Sequence, residues 1–445
     1  MLKGLPREVG VLAAIAFCVA LGFGIVAPAL PIFARTFGVS AFLAGAVVSA
    51  FAFVRLIASA PAGALVNRIG ERRVLATGLG IVAVSSLAAA FAQSFEQLLI
   101  MRALGGFGSS MFTVSAMALL LRTVHPDQRG RASGVYQAGF LLGGVAGPAI
   151  GGLVVGISIR APFIFYAITL SVATAVCLLM RRNPSPRLQD ADVASEDGLA
   201  SLDDPAEDSG FSDHPFDEGM PATTATGEGP AGESTPAEAS KPLPLRLALR
   251  DRAYWAALAV NLGNGFSIFG LRSALVPLFV VEGLRQGPGI AGVGFVIAAA
   301  VQAVLLLPGG RMADRRGRRP AMIIGAVFSV SGMVLLALGS SVWLFYFAMA
   351  VFGVSGAFLG PAPSAVVGDV TRGRPGGTVV AVFQMVSDFG AIIGPLAAGA
   401  VLDSAGFGAA FGIGAVIMGI GLVAALLMPE TLGRRGARSG DPAPT

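Results

Sequence analysis

Asp388 is the one carboxylate that falls in the middle of a long apolar run, two residues before a Gly390, Gly394, Pro395 pattern. A charge at the centre of a membrane span costs about 2.5–3.5 kcal/mol on insertion scales, so such a residue faces a cavity or a partner. Protonation removes that cost, and an acid placed there can couple pH to conformation. The other reading is a fixed ion pair with Arg55 or Arg272. Arg55 lies near the middle of its run, Arg272 in the outer half of another, and Arg102 is the third arginine inside a run. Three guanidiniums against one carboxylate leave a net positive interior, which suits an anionic or zwitterionic ligand unless the arginines are paired structurally. Polar amides beside aromatics would serve an amphipathic ligand: Gln137 next to Tyr136, Gln384 next to Phe383, and Asn261 and Asn264 near Phe266 and Phe269. A Gln or Asn bonded between helices is the alternative for each.

The elements that hold these residues are membrane spans. Hydrophobic residues make up 54% of the 445, charged residues 13%, and the mean hydropathy is +0.76. About 20 apolar residues cross a bilayer core of about 30 Å. Twelve runs are long enough, near 9–34, 43–66, 74–92, 97–121, 132–156 and 162–180, then 253–281, 290–309, 320–339, 342–367, 377–402 and 408–428. The two sets of six repeat each other. Pro61, Gly63, Asn67, Arg68, Gly70 and Arg72 return 247 residues later as Pro308, Gly310, Asp314, Arg315, Gly317 and Arg319. At the same offset Gly143, Gly147, Pro148 and Gly152 return as Gly390, Gly394, Pro395 and Gly399, Gln137 as Gln384, and Arg55 as Gln302. Arg129, Gly130, Arg131 is echoed at Arg372, Gly373, Arg374 with a small shift. Two homologous halves in a membrane chain point to a transporter with its site between them.

Between the halves, Asp190–Glu238 holds fourteen acidic residues and no Lys or Arg. This stretch lacks the apolar surface to fold, so residues 181–252 are expected to form a disordered linker that ends in a short basic amphipathic helix between Leu243 and Arg252. Most remaining Lys and Arg stand at the N-terminus, in the even-to-odd loops and in the tail, so both termini read as cytoplasmic. The first span reads as an uncleaved anchor, and the tail, 429–445, as polar and loose. Cys18 and Cys177 fall inside spans, where they pack as small apolar residues. His125 and His214 have no metal-ligand spacing, no GxxxxGK[ST] loop is present, and topology accounts for the basic loops without nucleic acid.

The loop from Gly63 through Asn67, Arg68, Gly70 and Arg72 resembles the loop between the second and third spans of the major facilitator superfamily. Leu98, Arg102, Gly106 and Gly108 are similar to that family's fourth-span motif, and Gly143, Gly147, Pro148, Gly151 and Gly152 to the fifth-span motif of its twelve-span drug:proton antiporters. Pro28 and Pro31 also resemble this group. The resemblance covers everything but the linker and tail. It implies an all-α fold of two six-helix bundles, 1–180 and 253–428, that rock about a central cavity, with no enzymatic activity. It assigns Arg102 to proton coupling and the two loops to gating. The family's usual acidic loop position is Asn67 here, and the acid many members carry in the first span is missing, so coupling must be arranged differently. The expected activity is export of small amphipathic compounds in exchange for protons across the inner membrane, by a monomer with no cofactor. An importer of a metabolite or organic anion, and a non-transporting receptor on the same scaffold, are the alternatives.

Overall fold

A computed structural model describes residues 5–124, 128–179, 243–371 and 377–432. The acidic stretch, His125, His214, the second Arg-Gly-Arg echo and the tail beyond 432 lie outside the described residues.

Among the described residues there are helices and no strands, and eleven of the helices are long and apolar enough to cross a membrane. The last of these, Gly377–Leu427, is broken at Gly406, whose φ of 80° lies in the left-handed region that favours glycine. Counting it as two gives twelve spans, in the places the apolar runs predict. We number them α1 (Arg7–Arg35), α2 (Ala41–Ile69), α3 (Glu71–Ala90), α4 (Phe95–Thr123), α5 (Arg129–Val155) and α6 (Ala161–Leu179). The second set is α7 (Arg252–Gly283), α8 (Gly289–Arg315), α9 (Arg318–Leu338), α10 (Val342–Thr371), α11 (377–405) and α12 (407–427). A one-turn helix, Leu245–Ala248, precedes α7.

The repeat extends to the caps. Ser94 accepts from the Gln97 N–H at 3.3 Å to start α4, and Ser341, 247 residues on, accepts from the Leu344 N–H at 3.2 Å to start α10. Small residues set the helix spacing within each half. Gly143 of α5 lies against the backbone of Phe17 and Leu21 in α1, and Gly390 of α11 against Leu262 and Phe266 in α7.

That second comparison exposes a local insertion. Phe17 to Leu262 and Leu21 to Phe266 are 245 residues apart, whereas Gly24 to Gly270, the next equivalent contact, is 246. A residue has been added to α7 between Phe266 and Gly270, and there the helix widens into π turns over Phe266–Leu275 and again over Phe279–Gly283. A π turn bonds i to i+5 and absorbs one extra residue without breaking the helix. The insertion turns the middle of α7 relative to its copy in α1.

Residues 429–432, just beyond α12, are packed rather than loose, contrary to the expectation for this first part of the tail. The Glu430 carboxylate accepts from the backbone N–H groups of Arg318 and Arg319 at 2.8 and 3.1 Å, capping α9, and Thr431 is buried with its hydroxyl 3.1 Å from Asp369. Burial pushes the Glu430 carboxyl up, but the N–H groups of Leu432, Arg318, Thr431 and Arg319 outweigh it and hold the group below the ordinary carboxylate range. A group lowered in the folded state stabilises it above the unfolded value and stops doing so as pH falls through the folded one. Glu430→Gln is therefore expected to lower the melting temperature at neutral pH, by an amount that shrinks as pH falls below the ordinary carboxylate range and is gone below the depressed folded value. A deficit that persists unchanged into acid would rule out this linkage.

Candidate functional site

The halves meet at two crossings related by the repeat, α2 with α11 and α5 with α8. At the end of the bundle away from the Gly63 and Gly310 loops, the far end, both crossings are closed. A Cβ on Gly45 would run into the Pro395 carbonyl, one on Gly399 into the backbone of Ala41 and Phe42, and one on Gly152 into the Gly292 backbone. Only glycine allows this approach, because the obstructing atoms are backbone and cannot rotate away. Arg35, at the end of α1, pairs with Glu282, at the end of α7, at 2.7 Å, and the two are themselves 247 residues apart. The pair thus joins repeat-related positions across the molecule's pseudo-twofold.

One crossing carries an added lock. Asp403 accepts from the Ala41 and Phe42 N–H groups, both at 2.9 Å, so a carboxylate from one half caps the first turn of a helix from the other. The other crossing has Gly156 and Gly289 near the corresponding place. Asp403→Asn is expected to cost the closed far end about 0.5–1 kcal/mol, a two- to fivefold shift in population. Increased labelling of a far-end cysteine at Phe42 would register it; unchanged labelling would mean that Asp403 holds nothing shut.

Farther in, the Ser49 hydroxyl donates to the Ile392 carbonyl at 2.6 Å. One and a half turns on, Arg55 forms an ion pair with Asp388 across the same crossing. Of the two partners the sequence leaves open for Asp388, the fold selects Arg55. The repeat counterparts of these residues are Gln302 and Leu141, so the other crossing has no equivalent pair. The side chains of Arg55 and Asp388 remain 35% and 28% exposed, so the carboxylate is only partly enclosed.

Among the described residues, the hydrogen bonds and close glycine contacts between α2 and α11 lie at this pair or between it and the far end. Gln384, one turn from Asp388 on the same face, is exposed, as is Gln137, which lies one turn from Leu141. Gly63 and Gly310 have open space where a side chain would stand. The result is a cleft closed at the far end, with Arg55–Asp388 near its floor and both glutamines on its walls.

Other candidates lie elsewhere. Asn261 is buried, and its amide donates to the Phe383 carbonyl at 2.7 Å, so it joins α7 to α11 and is not available to a ligand. Tyr136 is buried edge-on to Phe140 and does not line the cleft. Arg102 is buried with its guanidinium 4.4 Å above the Phe51 ring, and its Nε has no hydrogen-bond partner. Cation–π contact supplies part of what an ion pair would. Asn264 and Arg272 line a separate polar cavity in the second half, and the Gln302 carboxamide packs over Gly356 beside it.

The loop motifs work within each half in this conformation. Gly70 and Gly317, with φ of 88° and 125°, make the turns into α3 and α9. Arg72 donates to the carbonyls of Cys177 and Leu178 at the end of α6, and Arg319 donates to that of Leu426 at the end of α12. Asp314 pairs with Arg318, which also reaches Asp369 at 3.2 Å. Asn67, Arg68 and Arg315 stand exposed. In the first half Glu71 pairs with Arg122 at 3.1 Å. Glu71 and Arg318 are repeat-related, as are Arg122 and Asp369, so the same bridge is kept with its charges exchanged. A scan for identical residues at a fixed offset misses this bridge; a scan for complementary charges would find it, and would find Arg35 with Glu282.

Two six-helix bundles related by a repeat, joined at one end around a cleft that carries a charged pair at its floor, define a polytopic membrane transporter. The sequence profile of the Major Facilitator Superfamily matches residues 12–298 and 257–444, and the chain belongs to that superfamily. It is 28% identical over 168 residues to the quinolone resistance protein NorA of Staphylococcus aureus strain Mu50, covering 38% of this chain and 43% of that one. It is 28% identical over 180 residues to Multidrug resistance protein 1 of Bacillus subtilis strain 168, covering 40% and 46%. The chain thus matches less than half the length of these relatives. Among solved structures it resembles a bacterial homologue of the human lysosomal transporter Spinster in an inward-facing, unoccupied conformation, with a TM-score of 0.64 at 18% identity over 95% of each chain. It also resembles the nucleoside transporter NupG, with a TM-score of 0.62 at 15% identity over 94% and 98%. At these identities the structural likeness speaks for the fold alone.

Proposed function

We propose that this chain exports small amphipathic compounds in exchange for protons, with Asp388 as the proton carrier. The observation that supports it is the Arg55–Asp388 pair, which bridges the two halves, stays partly exposed and occurs at only one of two repeat-related crossings. With the arginine-rich loops cytoplasmic, in the inner membrane, the far end is external and the cleft opens inward. Here Asp388 is held by Arg55. Opening the far end separates α2 from α11, leaves the carboxylate unpaired in the membrane and favours its protonation from outside. Closing it again brings the guanidinium back to the acid, and the proton leaves through the cleft to the cytoplasm. Substrate entering from the cytoplasm loosens the pair and so permits the outward swing. No cofactor takes part; the proton gradient supplies the energy, and one chain suffices.

The lengthwise partial likeness to NorA and to Multidrug resistance protein 1 supports export of drug-like compounds. Arg102 and Arg272, which lack carboxylate partners among the described residues, support a second reading, import of an organic anion. Inverted vesicles with an acidified lumen and a pH probe separate the two. Proton efflux on adding a cationic or neutral amphiphile is the expected result; proton movement in the direction of the substrate would establish the importer.

A further inference from the structure

We propose that the second bundle holds a small monovalent anion, a halide or a small carboxylate ion, in the polar cavity between α7, α9 and α10. The cavity is lined by Asn264, Ser267 and Arg272 of α7, Ser329 of α9 and Ser355 of α10, with Phe352 as an apolar wall. No carboxylate is among its lining residues. Among the described residues Arg272 makes no hydrogen bond or ion pair, and Ser267, 4% exposed, has a hydroxyl with no partner. Ser329 and Ser355 are 3% and 5% exposed. Arg272, Asn264 and three serines line one space that offers them no negative charge. Protein interiors leave such groups unsatisfied only rarely, and an unpaired arginine inside a membrane span is among the costliest placements known. A bound anion would satisfy both. The space is close to that of one water molecule, so it fits a small ion and not the body of an amphiphile.

The repeat shows that helix packing does not require these polar groups. In the first half, Val19 stands in the place of Asn264, Val82 in that of Ser329, Gly108 in that of Ser355, and Ile25 or Val26 in that of Arg272. The valines and the isoleucine are buried core residues. The same three-helix junction is therefore built apolar in one half and polar in the other. The π turns contribute directly. Ser267 and Arg272 are five residues apart, about 140° out of line on an α-helix, but i and i+5 stack on π turns, so the inserted residue brings both onto one face.

The test uses the purified full-length protein in lipid nanodiscs at constant pH and ionic strength, melted in sodium chloride, bromide, acetate or gluconate. Gluconate is too bulky for the cavity and serves as reference. Chloride, bromide or acetate is expected to raise the melting temperature saturably, and Arg272→Gln to remove that increment. Stabilisation by halides without acetate identifies a halide as the ligand, and by acetate without halides a small carboxylate ion. Ser267→Ala and Ser355→Ala are each expected to raise the half-saturating concentration about threefold to tenfold, and they decide the matter should Arg272→Gln fail to fold. Equal stability in gluconate, an increment retained in Arg272→Gln, or unchanged half-saturation in both serine variants would overturn the proposal.

Discussion

Asp388→Asn is expected to abolish substrate-driven proton movement in vesicles while the protein still inserts and folds. A carboxamide fills the same volume and can still accept a hydrogen bond from Arg55, but it cannot take up or release a proton at any physiological pH. The coupling effect is therefore close to complete, with proton efflux falling to the level of empty vesicles. The cost in stability is small. The pair is about a third exposed, and exposed pairs contribute about 0–1 kcal/mol. Arg55 left without its counter-charge remains open to the cleft. The separation of effects makes the prediction sharp: lost proton movement with retained substrate binding, read by protection of a cleft cysteine at Gln384. Asp388→Glu, which keeps the acid on a longer arm, should restore part of the response. Full proton efflux in Asp388→Asn would move the coupling to another residue and remove the main support for antiport.

Gly152→Leu should have the second largest effect, on conformation. Gly152 and Gly292 meet backbone to backbone where α5 crosses α8, and a side chain on either would occupy the other's main chain. Overpacking a tight contact costs about 1–3 kcal/mol when side chains can adjust. Here the obstacle is backbone, so the closed far end should lose at least about tenfold in population. Spin labels at Ile157 and Gln286, in the two far-end loops, would show the separation directly as a shift to longer distances. Gly144→Leu is the control. It lies two turns away on the same helix with open space around it, and it should leave the distances as they are. A Gly152→Leu protein with wild-type distances would mean that this crossing does not govern closure. Transport should fall with the loss of the closed state, because alternating access needs both ends to seal in turn.

The sequence by itself determined the twelve spans, the two halves and the repeat. Apolar runs of this length have one stable solution in a bilayer, helices that satisfy their own backbone, and a fixed offset between motifs survives any choice of packing. It also singled out Asp388, because an acid inside an apolar run is visible without a structure, and the Gly-Pro stretches, because close helix approach demands small residues. What only the tertiary structure decided is which side chains meet across helices. Arg55 was chosen over Arg272 by the crossing of α2 with α11, a contact between residues 333 apart that no local pattern encodes. Asn261 and Tyr136 look like ligand residues in sequence and are buried between helices. Asp403, polar and near a helix end, reads as an ordinary loop acid until the first turn of α2 is brought against it. The Arg272 cavity depended on a further subtlety, the one extra residue in α7 that turns its middle through π geometry. The bilayer dictates how each span must fold; the rotation of each helix about its own axis, which decides what its polar residues face, is set only when the spans pack together.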